Sequence, residues 1–168
     1  MSNIEKVVQD SLYITAVNLK KNGNQALFNV TPNVHFFSKN WESDLLMTNF
    51  RNFVIEFEIK ATRSDFFNDL SKPKHKSLES KQGFIPNLFY YVVKQGEINV
   101  EDVPVYAGLY EFRIIDHNIY GQFAETFRVK EAPVLHESPL TLELEKKLNR
   151  AVYFKYWQQR TRRNHYRK

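Results

Sequence analysis

Residues 42–60, ESDLLMTNFRNFVIEFEIK, carry the side chains best suited to chemistry. Glu42 and Asp44 lead a short apolar run, and Glu56, Glu58 and Lys60 alternate with Ile55, Phe57 and Ile59. A period of two places those three charges on one face of a strand and the apolar residues on the other. If 42–48 and 54–60 pair as an antiparallel hairpin turning near Arg51, facing residues sum to about 102. Asp44 then faces Glu58, and Glu42 faces Lys60. Two carboxylates can hold Mg²⁺ or Mn²⁺ while leaving positions for water and a phosphate oxygen. The metal polarises phosphorus and activates water, and a lysine can place that water or stabilise developing charge. Asp44, Glu58 and Lys60 therefore suffice in kind for metal-dependent phosphodiester hydrolysis. The competing reading is a solvated strand face, and Glu-X-Lys alone does not decide between them.

The elements that must hold these groups can be read from the same patterning. Ile4, Val7, Val8, Leu12 and Leu19 predict a helix over 2–20, stopped by KKNGN at 20–24. Residues 26–37 read as extended despite Pro32, 42–48 as a short strand, 49–52 as a turn and 54–60 as the next strand. Thr62 with Asp65 forms a capping box that opens a helix through FFNDL. SKPKHKSLESK follows as a basic loop or helix broken at Pro73. NLFYYVV at 87–93 and AGLYEFRII at 107–115 are strands, Asp116-His117-Asn118 is a hairpin tip, and 127–130 extends the sheet. From Leu140 onward, Leu144, Leu148, Ala151, Val152 and Tyr156 line one side of an amphipathic helix.

Composition bounds the answer. The chain has 168 residues, 42% hydrophobic and 26% charged, which suits one α/β domain over 1–168 rather than two. With no cysteine there is no disulfide, thiol nucleophile or cysteine-bound zinc, and the five histidines show no ligand-like spacing. No stretch reads as a signal peptide or membrane span, so the expected location is cytoplasmic, at the nucleoid or in a host cell, without membrane contact. The net charge of +5 is unevenly placed. From Lys146 onward there are nine Lys/Arg and no acid, leaving 15 basic residues against 19 acidic in 1–145. Residues 140–168 thus form a basic helix and tail on a mildly acidic body, which points to a polyanion, most often nucleic acid.

Several further residues could serve that partner. Arg63 and Ser64 follow Lys60 at a helix start, where phosphate contact is favoured. Lys72, Lys74, His75 and Lys76 form a basic patch that either is solvated or touches the DNA backbone. Arg160, Arg162 and Arg163 can grip phosphates, with Tyr156, Trp157 and Tyr166 available to stack on bases. Asp65 is expected to serve as a cap and Glu56 as a solvated strand residue; Glu5 is either solvent-facing or a third acid at the site.

Asp44, then Glu58-Ile59-Lys60, on successive strands before a helix, resembles the PD-(D/E)XK nuclease superfamily. More narrowly, ESDLLMTN, EIKATRSDFFNDLSKPKH, NLFYYVV and VPVYAGLYEF are similar, in order, to the MmcB-like family of DNA-repair proteins and its phage relatives. The likeness covers residues 35–113, and Ser43 stands where the superfamily name has Pro. The resemblance implies an αβββαβ-type, restriction-endonuclease-like core, with a central mixed sheet flanked by helices. It further implies Asp44 and Glu58 as metal ligands and Lys60 as the catalytic lysine. The expected function is a Mg²⁺- or Mn²⁺-dependent DNA endonuclease or DNA-repair nuclease, with DNA as partner and a homodimer or an accessory protein as further candidates. The alternatives are a nuclease-fold DNA-binding protein without turnover and a nuclease directed at RNA.

Overall fold

The computed structural model describes residues 3–21, 27–117 and 121–165. In chain order these form α1 (Asn3–Lys21), β1 (Leu27–Ser38), β2 (Trp41–Asn49), β3 (Val54–Lys60), α2 (Arg63–Asp69) and α3 (Lys74–Ser80). Then come β4 (Leu88–Lys94), a 3-10 turn (Val100–Asp102), β5 (Gly108–His117), β6 (Gly121–Lys130) and α4 (Leu142–His165). The strand limits of β3 match the alternation of its residues, and α3 resolves the stretch after Pro73 as a helix. Part of the expected stop at 20–24 and the hairpin residue Asn118 lie outside the described residues.

The six strands form one sheet in the order β1-β2-β3-β4-β5-β6. β3–β4 and β4–β5 are parallel, and the other pairs are antiparallel. A parallel pair needs a crossover connection, and here α2 and α3 make it between β3 and β4. Val8, Leu12 and Ala16 of α1 pack with Leu45, Met47, Ile55, Phe57, Ile59, Tyr90 and Val92 on one face. Phe66 of α2, Leu78 of α3 and Leu148 of α4 pack with Leu46, Val54, Phe89, Tyr91 and Val93 on the other. The result is a mixed α/β fold with helices on both faces of a central sheet.

The β2–β3 turn is set by asparagine chemistry. Asn49 Oδ1 accepts the backbone N–H of Arg51 (2.9 Å) and of Phe53 (3.0 Å). Asn52 adopts φ 56°, which asparagine tolerates better than most residues. The ladder then runs Thr48↔Val54, Met47↔Ile55, Leu46↔Glu56 and Leu45↔Phe57, the register expected from the sequence.

Two expectations fail for packing reasons. Val152 and Tyr156 of α4 do not join the core; both are exposed. The core packing of α4 ends at Ala151, and beyond it Val152 and Tyr156 line an open groove beside β1 rather than a closed contact. The charged face of β3 is also not wet. Covered by α2 and α3, every residue of β3 is buried.

Candidate active site

Glu56, Glu58 and Lys60 share the face of β3 under the crossover helices, because alternate residues of a strand point the same way. Asp44 comes to them from β2. Its Oδ2 accepts the backbone N–H of Ile59 at 2.7 Å, so the side chain bridges the two strands just beyond the last ladder pair. Its own carbonyl accepts from Gln9 Nε2 of α1 at 2.8 Å, which fixes the backbone behind it. Burial and the charge of Glu58 push the Asp44 carboxyl up to about 7, against the opposing pull of the Ile59 hydrogen bond and Lys60. Glu5 on α1 adds to that rise, and it lines the adjacent cleft.

Lys60 Nζ lies 2.6 Å from Glu58 Oε1 and 3.1 Å from Asp69 Oδ1. Burial works against its charge, but Glu58, Asp69 and Asp44 outweigh it and hold the ammonium above its usual range. Lys74 Nζ sits 2.7 Å from the other Glu58 oxygen and 3.5 Å from Asp69. Burial is again overcome, by Glu58, Glu56 and Asp69, so Lys74 also stays protonated. Glu58 Oε2 and Asp69 Oδ1 have no well-aimed hydrogen bond and are held by charge at ion-pair distance.

Asp69 is the hub that the sequence reading passed over. It is only 1% exposed, and it touches Lys60, Lys72 and Lys74 as well as His75 Nε2 (2.9 Å) and the hydroxyl of Tyr91 (3.1 Å). Burial alone would raise its pKa; the bond from His75 and the charges of Lys74, Lys60 and Lys72 drive it far below the carboxylate range. The signal was present: Phe66, Asp69 and Leu70 recur at helical spacing, which puts Asp69 on the core side of α2. His75 continues the network, with Nδ1 2.9 Å from the Tyr106 hydroxyl.

Other expected site residues fall as follows. Lys74 and His75 are buried, so the predicted basic patch loses both to the interior: α3 turns them inward with Leu78. Lys72 is half exposed (54%) at the cleft, with its ammonium on Asp69, and Lys76 is exposed. Arg63 is tied to the Glu97 carbonyl (3.0 Å) and Asp102 (3.3 Å) and lies over the Phe67 ring. Ser64 is exposed at the start of α2, and Asp65 caps that helix with Thr62. Arg160 is exposed beside Tyr156, while the side chains of Arg162 and Arg163, and all of Tyr166, lie outside the described residues. Glu42 does not face Lys60: it is drawn to His35 (3.8 Å) and Lys155 (3.6 Å) instead.

Glu56 corrects the expectation of a solvated residue. It is 0% exposed and its Oε1 accepts from Trp41 Nε1 at 2.7 Å. Burial pushes it up to about 8; Lys74 opposes the rise, Glu58 adds to it, and the Trp41 bond opposes it. At neutral pH it is mainly the uncharged acid, which limits the negative charge beside Glu58.

A cleft of about 380 Å³ opens onto this cluster, lined by Glu5, Lys60, Asp65, Asn68, Asp69 and Lys72, together with Ile59 and Ala61. Asp44 and Glu58 are hard oxygen donors whose mutual repulsion a divalent cation would relieve, so the pair fits Mg²⁺ in kind. Among the described residues no group of three acidic or histidine side chains converges as a ready metal cluster. Among the described residues, too, no helix is long and apolar enough to cross a membrane.

No family model and no curated protein matches the chain. Among solved structures it is similar to the SPO1766 protein of unknown function from Silicibacter pomeroyi. The TM-score is 0.54 at 16% identity, covering 86% of this chain and 82% of that one. The likeness is one of fold.

Proposed function

We propose that the chain is a metal-dependent deoxyribonuclease with a PD-(D/E)XK-type core. The observation that carries this reading is the meeting of Asp44, Glu58 and Lys60 across β2 and β3, with Lys60 opening onto a polar cleft. Asp44 and Glu58 would hold Mg²⁺ or Mn²⁺, which when bound supplies Lewis-acid activation of phosphate and water. Lys60 is kept as an ammonium by Glu58 and Asp69, so its part is to donate to an oxygen gaining negative charge rather than to take a proton. Lys72, exposed at the rim, is placed to meet a backbone phosphate once it leaves Asp69. Asp69 and Lys74 hold Lys60 and Glu58 in place from below. The order α1-β1-β2-β3-α2 followed by β4 supports the αβββαβ arrangement.

The test is incubation of the purified chain with single-stranded, duplex, flapped and branched DNA in Mg²⁺, Mn²⁺ or EDTA. Cleavage is expected with metal and not with EDTA, and Asp44→Asn and Lys60→Ala should each lower it by at least about 100-fold, an amount typical of losing one transition-state contact. Intact DNA under every metal condition, or full activity in Asp44→Asn, would refute the reading.

One observation favours a second reading, a nuclease-fold DNA-binding module without turnover. Both Glu58 oxygens are already engaged by ammonium groups, at 2.6 and 2.7 Å. Such a module would bind DNA equally well with and without divalent ions.

A further inference from the structure

α4 carries an aromatic and cationic face that the core does not use. Tyr153, Phe154, Tyr156 and Trp157 are all exposed, Trp157 at 43%. Tyr153 and Trp157 lie one turn apart with ring centroids at 6.2 Å, and Tyr156 packs edge-on against Trp157 at 5.5 Å. Arg160 sits over the Trp157 ring at 5.6 Å and donates to the Tyr156 hydroxyl at 3.1 Å. Four large rings in water are costly to maintain unless something covers them. The helix is not a simple apolar docking stripe, since it interleaves these rings with Lys146, Lys147, Arg150 and Arg160 and has no acid after Glu145.

The same face borders a groove. A cleft of about 290 Å³ runs between α1, β1 and α4, lined by Lys6, Gln9, Asp10, Asn33, Lys155 and Tyr156, among others. Lys155 anchors α4 here by bonding the Asn33 carbonyl and approaching Glu42. Gln9 lies in this groove and also holds the carbonyl of Asp44. Its neighbour on α1, Glu5, lines the candidate active cleft. The groove and the active cleft thus flank the first turns of α1.

We propose that this face of α4 and its groove bind single-stranded DNA, with bases stacked on Trp157, Tyr156 and Tyr153 and phosphates met by Lys6 and Arg160. Excess positive charge selects a polyanion, and exposed rings select one whose bases are unpaired, since a duplex hides its base faces. The occupant is therefore a strand rather than a second copy of this chain, whose matching helix would bring like charges together. The substrate named here rests on the proposed nuclease reading, yet the binding it describes requires no turnover.

The experiment is fluorescence anisotropy of labelled 20-nucleotide (dT) and of a duplex of equal length, in EDTA, with wild type, Tyr153→Ala/Trp157→Ala and Tyr153→Phe/Trp157→Phe. Wild type should favour the single strand. The alanine pair should weaken single-strand binding by roughly 10-fold or more, as loss of two stacking platforms implies, with duplex binding changed far less. The phenylalanine pair should keep most of the affinity. Circular dichroism and the thermal midpoint should not move, because both side chains are exposed. Equal single-strand binding by wild type and the alanine pair would overturn the proposal, as would equal losses on both DNA forms. A wild-type dimer in sedimentation that the alanine pair dissolves would overturn it too, by assigning the face to a second copy. A chain that binds the strand but cuts nothing in metal would refute the nuclease reading and leave this one standing.

Discussion

Replacing Asp69 by asparagine keeps the shape of the side chain and removes its charge from the centre of the ionic cluster. Lys72 is half exposed and can turn to water, so its pair with Asp69 is worth no more than about 1 kcal/mol. Lys60 and Lys74 have no such escape, with side chains 10% and 6% exposed, and both would share Glu58 as their remaining partner at ion-pair distance. Breaking a buried pair from one side costs about 3–5 kcal/mol, a large part of the roughly 5–15 kcal/mol that holds a typical domain together. With a urea m-value of about 2 kcal/mol/M, the midpoint should fall by roughly 2 M. Removing the stranded cation as well, in Asp69→Asn/Lys74→Met, should recover a good part of the loss, because an apolar replacement of both partners is far less costly than one orphaned charge. The pH dependence has a definite sign. Asp69 is depressed in the fold, so its stabilisation is complete above the unfolded carboxylate range, near pH 4, and declines as the solution becomes more acidic. The gap between wild type and Asp69→Asn should therefore narrow in acid. A single variant within about 1 kcal/mol of wild type at pH 7, or a double variant no better than the single, would refute this account of the cluster.

Glu56 should behave in the opposite sense. Its folded pKa of about 8 lies above the unfolded value, so its stabilisation is present in acid and is lost as pH rises through 8. Urea titrations from pH 6 to 9 should show wild type losing on the order of 2 kcal/mol from this group, while Glu56→Gln, a mimic of the neutral acid, escapes that loss. Gly108 starts β5 where an added Cβ would stand 2.3 Å from the Tyr90 ring and 2.7 Å from the Ala132 backbone nitrogen. Gly108→Ala should cost about 1–3 kcal/mol by overpacking, read as a lower thermal midpoint, and an unchanged midpoint would show that the ring has room to move.

Much of this architecture was legible in the chain because local chemistry and tertiary demand agree. The Asn49–Asn52 turn and the alternation on either side of it are enough to set the β2–β3 register, and with it the meeting of Asp44 and β3. What remained hidden was burial. Alternating charges usually mark a solvated face, but β3 is an interior strand with a parallel neighbour, and its crossover helices cover the face that carries the charges. That covering explains why Glu56 is neutral rather than wet, and why Lys74 and His75 are struts rather than surface contacts. Asp69 was visible only to a reading that put helical periodicity above residue type. The far turns of α4 misled in the reverse direction, since their apolar spacing suggested packing where the helix stands off β1 across an open groove.

The brace behind Asp44 has a bearing on the order in which the molecule can be completed. α1 precedes every strand of the sheet, yet Ser11 accepts the backbone N–H of Ala124, 113 residues later, and the apolar bed beneath the helix includes Phe112, Ala124 and Ala132. During synthesis the meander of β1, β2 and β3 has all its own partners long before β6 exists. α1 cannot finish docking until that last strand emerges. The helix that steadies the candidate catalytic acid is thus made before the strands it rests on, yet is among the last elements to be seated.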